Sequence, residues 1–223
     1  MKNQYFGDVN DYRKYGLLRA FQSSRRGRLL VAWMLTPDDG GGDGGASAYL
    51  ERPEKFRHHD PELFDALAGM LNAGTERNVA LLERSKLLPD TEYYADEVPD
   101  GREAREAWGK RLLRHAAGVD LVFLDPDNGI EVRTKPVGRK GSSKYVTWKE
   151  IERLWESGCS LLIYQHFPRR PRMTFAREMA WELHRHTGAP VVSCFRTPHV
   201  LFLLAGRERH EAWLKERDRK SVV

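Results

Sequence analysis

Apolar positions in this chain come in two kinds of run. From Asp8 to Phe21 the residues Tyr12, Tyr15, Leu17, Leu18 and Phe21 recur at helical spacing, which predicts a short first helix. Leu29 to Leu35 is instead continuously apolar, as in a strand buried on both faces. It gives way to Thr36-Pro37-Asp38-Asp39 and the glycine loop Gly40 to Gly45. Pro61 to Leu71 is an amphipathic helix with proline in its first turn. Asn78 to Glu83 and Glu92 to Ala95 read as second and third strands, and Arg102 to Ala117 as a helix closed near Gly118. Val119 to Leu124 is the clearest buried strand, and it runs into Asp125-Pro126-Asp127-Asn128-Gly129. Trp148 to Glu156 is helix, Ser160 to Tyr164 strand ending at Gln165-His166, and Phe175 to His186 helix. Val191 to Phe195 and Val200 to Leu204 are separated by Arg196 to His199 alone. That gap is too short for a parallel crossover, so the two form an antiparallel hairpin. Glu208 to Arg219 reads as a closing helix.

About seven strands alternating with helices predict an α/β fold: a mostly parallel, Rossmann-like sheet with helices on both faces, ending in a hairpin. No repeat and no linker interrupts the chain, so residues 1–223 read as one domain with 1–21 as a helical extension. Composition supports this, since 40% hydrophobic and 31% charged residues suit a globular chain. No apolar run approaches about 18 residues, and the opening lacks a secretory apolar region, so no membrane partner is expected. The two cysteines, Cys159 and Cys194, lie in apolar runs and read as buried thiols in a cytoplasmic protein. Trp108, Trp148, Trp155, Trp181 and Trp213 fall in predicted helices and read as packing residues.

Ligands of open parallel sheets bind beyond the carboxyl ends of the strands. The residues found there are Asp38 and Asp39, Glu83, then Asp125, Asp127, Asn128 and Glu131, then Gln165 and His166. Asp-Pro-Asp-Asn-Gly is a strong turn sequence, yet a turn alone does not need Asp125 at the mouth of an apolar strand. Asp125, Asp127 and Glu131 also offer three hard oxygen ligands within seven positions, a set that suits Mg²⁺ or Mn²⁺ in a metal-dependent nuclease or phosphodiesterase. The net charge is +5, and the sequence pI is near 9.2. Much of the positive charge falls in two acid-free loops. One carries Arg133, Lys135, Arg139, Lys140, Lys144 and Lys149, the other Arg169, Arg170, Arg172 and Arg177. Two such loops following neighbouring strands point to a phosphate-bearing partner, nucleic acid or nucleotide. Gly138-Arg-Lys-Gly-Ser-Ser-Lys144 could wrap a phosphate with backbone N–H groups, although it is not a Walker A loop.

The strand order resembles the sheet of S-adenosylmethionine (SAM) dependent methyltransferases, whose last two strands form such a hairpin. Asp125-Pro126 resembles the first half of the Asp/Asn-Pro-Pro-aromatic motif of amino-group methyltransferases, while Asp127 and Asn128 depart from its second half. Gly7, Asp8 and Lys14 faintly resemble the opening of ribosomal-RNA adenine methyltransferases. The segments Asn3–Leu18, Trp33–Gly40, Phe123–Val132, Gly138–Tyr145 and Ile163–His166 resemble those of a bacterial family with no assigned activity. These resemblances imply a SAM-dependent, methyltransferase-like enzyme acting on nucleic acid or a nucleotide. Asp125, Asp127, Asn128 and His166 would form the catalytic centre, and Asp38, Asp39 and Glu83 would contact the cofactor. Arg139, Lys140, Lys144, Arg169 and Arg170 would hold phosphate. The chain lacks the Gly-x-Gly turn of the methyltransferase pattern after its first strand. The nuclease and a non-catalytic nucleic-acid-binding domain stand as alternatives.

Overall fold

A computed structural model of the protein describes residues 1–24, 27–38, 46–74 and 76–210. In chain order the elements are α1 (Val9–Ser24), β1 (Leu29–Ala32), α2 (Pro53–Phe56), α3 (Pro61–Asn72), α4 (Ala80–Ser85), β2 (Thr91–Tyr94) and α5 (Arg102–His115). There follow β3 (Leu121–Leu124), β4 (Gly129–Ile130), β5 (Tyr145–Val146), α6 (Trp148–Glu156), β6 (Ser160–His166), α7 (Arg172–Thr187), β7 (Val191–Arg196) and β8 (Val200–Gly206). The described residues pack as two compact units: residues 1, 27–36 and 90–210 form one, and 2–24, 37–38, 46–74 and 76–89 the other.

The first unit holds a six-stranded sheet of order β2-β1-β3-β6-β8-β7. β2, β1, β3 and β6 run parallel, whereas β8 is antiparallel to both of its neighbours. The four-residue gap therefore does produce the expected hairpin. Continuous apolar runs make β1, β3 and β8 buried at every position. Leu30, Val122, Leu161 and Leu203 lie in one core with Trp108 and Leu112 of α5, Ile151 and Leu154 of α6, and Leu183 of α7. Each such side chain contributes roughly 1.5–3 kcal/mol on burial. Among the described residues α5, α6 and α7 of this unit thus pack on one face of the sheet. Val31, Trp33, Phe123 and Leu162, on the opposite face, are equally buried. The second unit is helical, with α1 packed on α3. Tyr12 stacks on Tyr49 at 5.4 Å, and Phe64 meets both rings edge-on.

Several expectations change. Asn78 to Glu83 is not a strand: α4 begins at Ala80, and the Asn78 side chain accepts the Ala80 amide at 2.9 Å. A short apolar run does not by itself separate helix from strand, and Ala-Leu-Leu-Glu-Arg favours helix. The main sheet consequently has six strands rather than about seven, and β4 and β5 add a separate two-stranded sheet. Gln165 and His166 lie within β6 rather than after it. Cys159 is buried as expected, but Cys194 is exposed because β7 is the sheet's edge strand. Trp181, read as a packing residue, is 61% exposed. Of the expected closing helix, Glu208–His210 form a 3-10 turn and residues 211–219 lie outside the described residues. No helix among the described residues is long and apolar enough to cross a membrane.

A buried ion pair fastens α5 to α6. Arg105 donates to both carboxylate oxygens of Glu150, at 2.6 and 2.8 Å, and to the Tyr145 carbonyl at 2.7 Å. Glu150 also closes a capping box with Thr147 at the start of α6. Removing one partner of a buried pair strands the other, so Arg105→Leu is expected to destabilise the protein by about 3–5 kcal/mol in urea titration. A loss below about 1 kcal/mol, the range of exposed pairs, would contradict this account.

Candidate active site

β1 is flanked by β2 on one side and β3 on the other, so the chain's direction of travel across the sheet reverses there. Sheets of this order bind ligands in a crevice beyond the carboxyl ends of the strands at such a reversal, here β1 and β3, and the residues that follow these two strands are buried in this structure. Met34 and Thr36 follow β1, and Asp125 and Asp127 follow β3. Met34 has φ +48°, a left-handed conformation that costs a non-glycine residue about 1–3 kcal/mol and is tolerated where surroundings impose it. Its carbonyl and that of Asp125 accept from the Met1 ammonium at 3.2 and 3.0 Å. The same ammonium lies 2.9 Å from Oδ1 of Asp127, an ion pair without the alignment of a hydrogen bond, with both groups 3% exposed. Thr36 donates its hydroxyl to Oδ2 of Asp127 at 3.0 Å, and its amide to the Met1 carbonyl at 2.9 Å. Lys144 Nζ stands 4.0 Å from that same Oδ2. Asp125 is 1% exposed, and its amide donates to the Ala32 carbonyl, prolonging the β1–β3 pairing into the crevice.

The loop after Asp127 is locked from β6. Gln165 accepts the Ile130 amide at 2.8 Å and donates to the Asn128 carbonyl at 3.3 Å. Gly129 has φ +116°, and a Cβ there would lie 2.3–2.5 Å from the Gln165 amide, so another residue would be strained and would push that amide out of place. His166 is exposed at the end of β6, with Nε2 3.3 Å from the Tyr164 hydroxyl and its own amide bonded to the Asn128 carbonyl. The Asn128 amide in turn donates to the Lys144 carbonyl at 2.9 Å. These bonds bring Asp125, Asp127, Asn128, Lys144 and His166 into one neighbourhood. Glu131 does not join them: its carboxylate accepts the Trp148 amide at 2.8 Å, satisfying an otherwise open N–H at the start of α6. Among the described residues no three His, Cys, Asp or Glu side chains could hold a metal, so the expected Asp125, Asp127 and Glu131 ligand set is not assembled.

The Gly138–Lys144 loop does wrap an anion, but the anion is the protein's own. Asp100 accepts the amides of Gly141 and Ser143 at 2.8 and 2.7 Å and the Ser142 hydroxyl at 3.1 Å, while its carbonyl takes the Gly138 amide. Those N–H groups are therefore not offered to phosphate. The side chains of Arg139 and Lys140 remain exposed. Arg169 and Arg170 are exposed before α7, and Arg170 pairs with Glu178 at 2.7 Å. Asp38 and Glu83 belong to the helical unit, Glu83 on α4 rather than at a strand end, and Asp39 lies outside the described residues, as does the Gly40–Gly45 loop. Sequence reasoning missed Met1, Thr36 and Asp100, whose partners lie 33 to 126 residues away along the chain. A polar residue directly after the apolar run Leu29–Leu35 was the available signal for Thr36.

The helical unit holds a second polar cluster, in the segment that singled out Gly7, Asp8 and Lys14. Asp11, 1% exposed, accepts from the Gly7 amide at 3.0 Å, Lys14 at 2.7 Å and the Tyr15 hydroxyl at 2.8 Å. Asp8 accepts the Asn10 and Asp11 amides, as an N-cap of α1 should. Burial, reinforced by the neighbouring Asp11 carboxylate, raises its pKa from 3.8 to about 6.

Two outcomes follow. The folded state holds the Asp8 proton to a higher pH than the unfolded chain, so this group's stabilisation is present below 3.8 and fades as pH rises through about 6. Asp8→Asn, which keeps a capping side chain, should flatten that part of the stability–pH curve, read by thermal melts across the window. For Asp100, burial opposes ionisation, but the Gly141 and Ser143 amides outweigh it and hold the pKa below 3.8. The loop should keep its amide protection at pH 5 and lose it only once pH falls below 3.8, whereas Asp100→Ala should lose it at every pH, measured by hydrogen exchange at Gly141 and Ser143.

Compared with models of known protein families and with curated proteins, the chain matches none, which leaves the crevice and its polar neighbours as the guide to function.

Proposed function

We propose that this protein is a SAM-dependent, methyltransferase-like enzyme acting on an amino group of a nucleic acid or nucleotide. The observation that carries the reading is the strand order. β8 slots antiparallel between β6 and β7, which run the same way, as in the methyltransferase sheet with one outer strand fewer. In that scheme the carboxyl end of β3 corresponds to the place where amino-group methyltransferases carry their Asp/Asn-Pro motif, and Asp125-Pro126 stands there.

The fit to the cofactor is partial. Carbonyls of Met34 and Asp125 with the Asp127 carboxylate are acceptors of the kind that an α-ammonium needs, and here they hold that of Met1. Binding of SAM through them requires Met1 to release them. With strand two now at Thr91–Tyr94, the carboxylate just beyond it is Asp96, which would contact the cofactor in place of Glu83. Asp96 is exposed and bonded to Arg111 at 2.8 Å and the Tyr94 hydroxyl at 3.2 Å. When bound, the cofactor supplies an electrophilic methyl group. Asp125 would accept an N–H of the target amine and orient its lone pair, in a setting dry enough to strengthen that bond. Asp127, fixed by Thr36 and Met1, shapes the floor, while Lys144, Arg139 and Lys140 attract phosphate.

Calorimetry with SAM and transfer of labelled methyl to nucleic acid test the proposal. Asp125→Asn should retain SAM binding and lose transfer by roughly 100-fold or more, the scale of a positioned polar catalytic group. Absence of SAM binding by the wild type, or transfer indifferent to Asp125→Asn, would end it.

A further inference from the structure

We infer that the outer face of α7, with the arginines just before it, binds single-stranded nucleic acid, with Trp181 as the stacking platform. The inference rests on the proposed nucleic-acid substrate and narrows it to strands with unpaired bases.

Met173, Arg177, Trp181 and Arg185 are spaced four apart and share one side of α7. All are exposed, Met173 by 49% and Trp181 by 61%. Beside them runs an open groove of about 520 Å³, lined by Arg170, Arg177 and Trp181, by the apolar Phe175 and Met179, and by the two carboxylates Glu178 and Glu182. Arginines are interleaved with rings throughout: Arg185 lies 5.5 Å from the Trp181 centroid, Arg170 5.8 Å from Phe175 and Arg172 5.9 Å from Phe167.

Charge selects the occupant. Residues 166–187 hold five arginines, at 169, 170, 172, 177 and 185, against Glu178 and Glu182. Arg170 pairs with Glu178 and Arg185 with Glu182, and among the described residues Arg169, Arg172 and Arg177 have no ion pair. An apolar protein face laid on Trp181 would strip water from these three guanidinium groups without returning a counter-charge. A phosphate backbone provides one for each. An exposed indole among arginines matches the way single strands are held, bases on rings and phosphates on cations. In a duplex the bases are already stacked on one another, and the indole adds nothing.

The test is fluorescence anisotropy with labelled oligothymidylate and a labelled duplex across a salt series. Wild type is compared with Trp181→Ala, Arg177→Ala and the Lys140→Ala/Lys144→Ala pair; the substituted side chains are at least one-third exposed. Loss of one stacked base should weaken single-strand binding about tenfold in Trp181→Ala and leave duplex binding nearly unchanged. Arg177→Ala should lower the log–log salt slope for the single strand by about 0.7. Single-strand binding by Trp181→Ala equal to wild type overturns the surface. If the lysine pair alone then weakens binding, the nucleic-acid substrate stands without it. If SAM binds but no oligonucleotide does, both the surface and the polymer substrate fall while the methyltransferase chemistry survives.

Discussion

A carboxylate taken out of water must find compensating charge and hydrogen bonds, and at Asp127 that requirement organises the crevice. The Met1 ammonium and the Thr36 hydroxyl come from two other parts of the chain to supply it, and Lys144 approaches from a third. Meeting the demand of one side chain therefore ties the chain terminus, the end of β1 and the basic loop to the end of β3. The left-handed backbone of Met34 is intelligible in the same terms, since its carbonyl is one of the acceptors around that ammonium.

The parts of the fold legible in the sequence were those written in local pattern. Leu29 onward, Leu121–Leu124 and Val200–Leu204 are apolar enough that any packed arrangement must bury them, and they form the buried strands. The hairpin followed from a connection too short to do otherwise. Pattern failed at Asn78–Glu83, where six residues suit a strand or a helix and Ala80–Ser85 form α4. It failed again at Trp181 and Cys194, because neither the outward face of α7 nor the edge position of β7 is fixed by neighbouring residues along the chain.

The candidate site was legible in part for a related reason. Asp125 and Asp127 stand at the mouth of an unmistakable strand, so their convergence followed from the fold alone. Glu131 lies only four residues beyond Asp127, yet the α6 N-terminus claims its carboxylate. Proximity along the chain suggested a shared ligand, whereas an open backbone N–H nearby made the stronger demand.

Asp100 alters the character of the Gly138–Lys144 loop. Because the Gly138, Gly141 and Ser143 amides and the Ser142 hydroxyl all bond to this one residue, the loop is ordered at folding rather than at encounter. Under the proposed function, an incoming polyanion would meet cations on a frame already ordered, and the ordering of mobile segments, which typically weakens association, would fall away. The internal carboxylate thus acts as a permanent resident ligand, trading one phosphate-shaped niche for a preorganised ridge of positive charge.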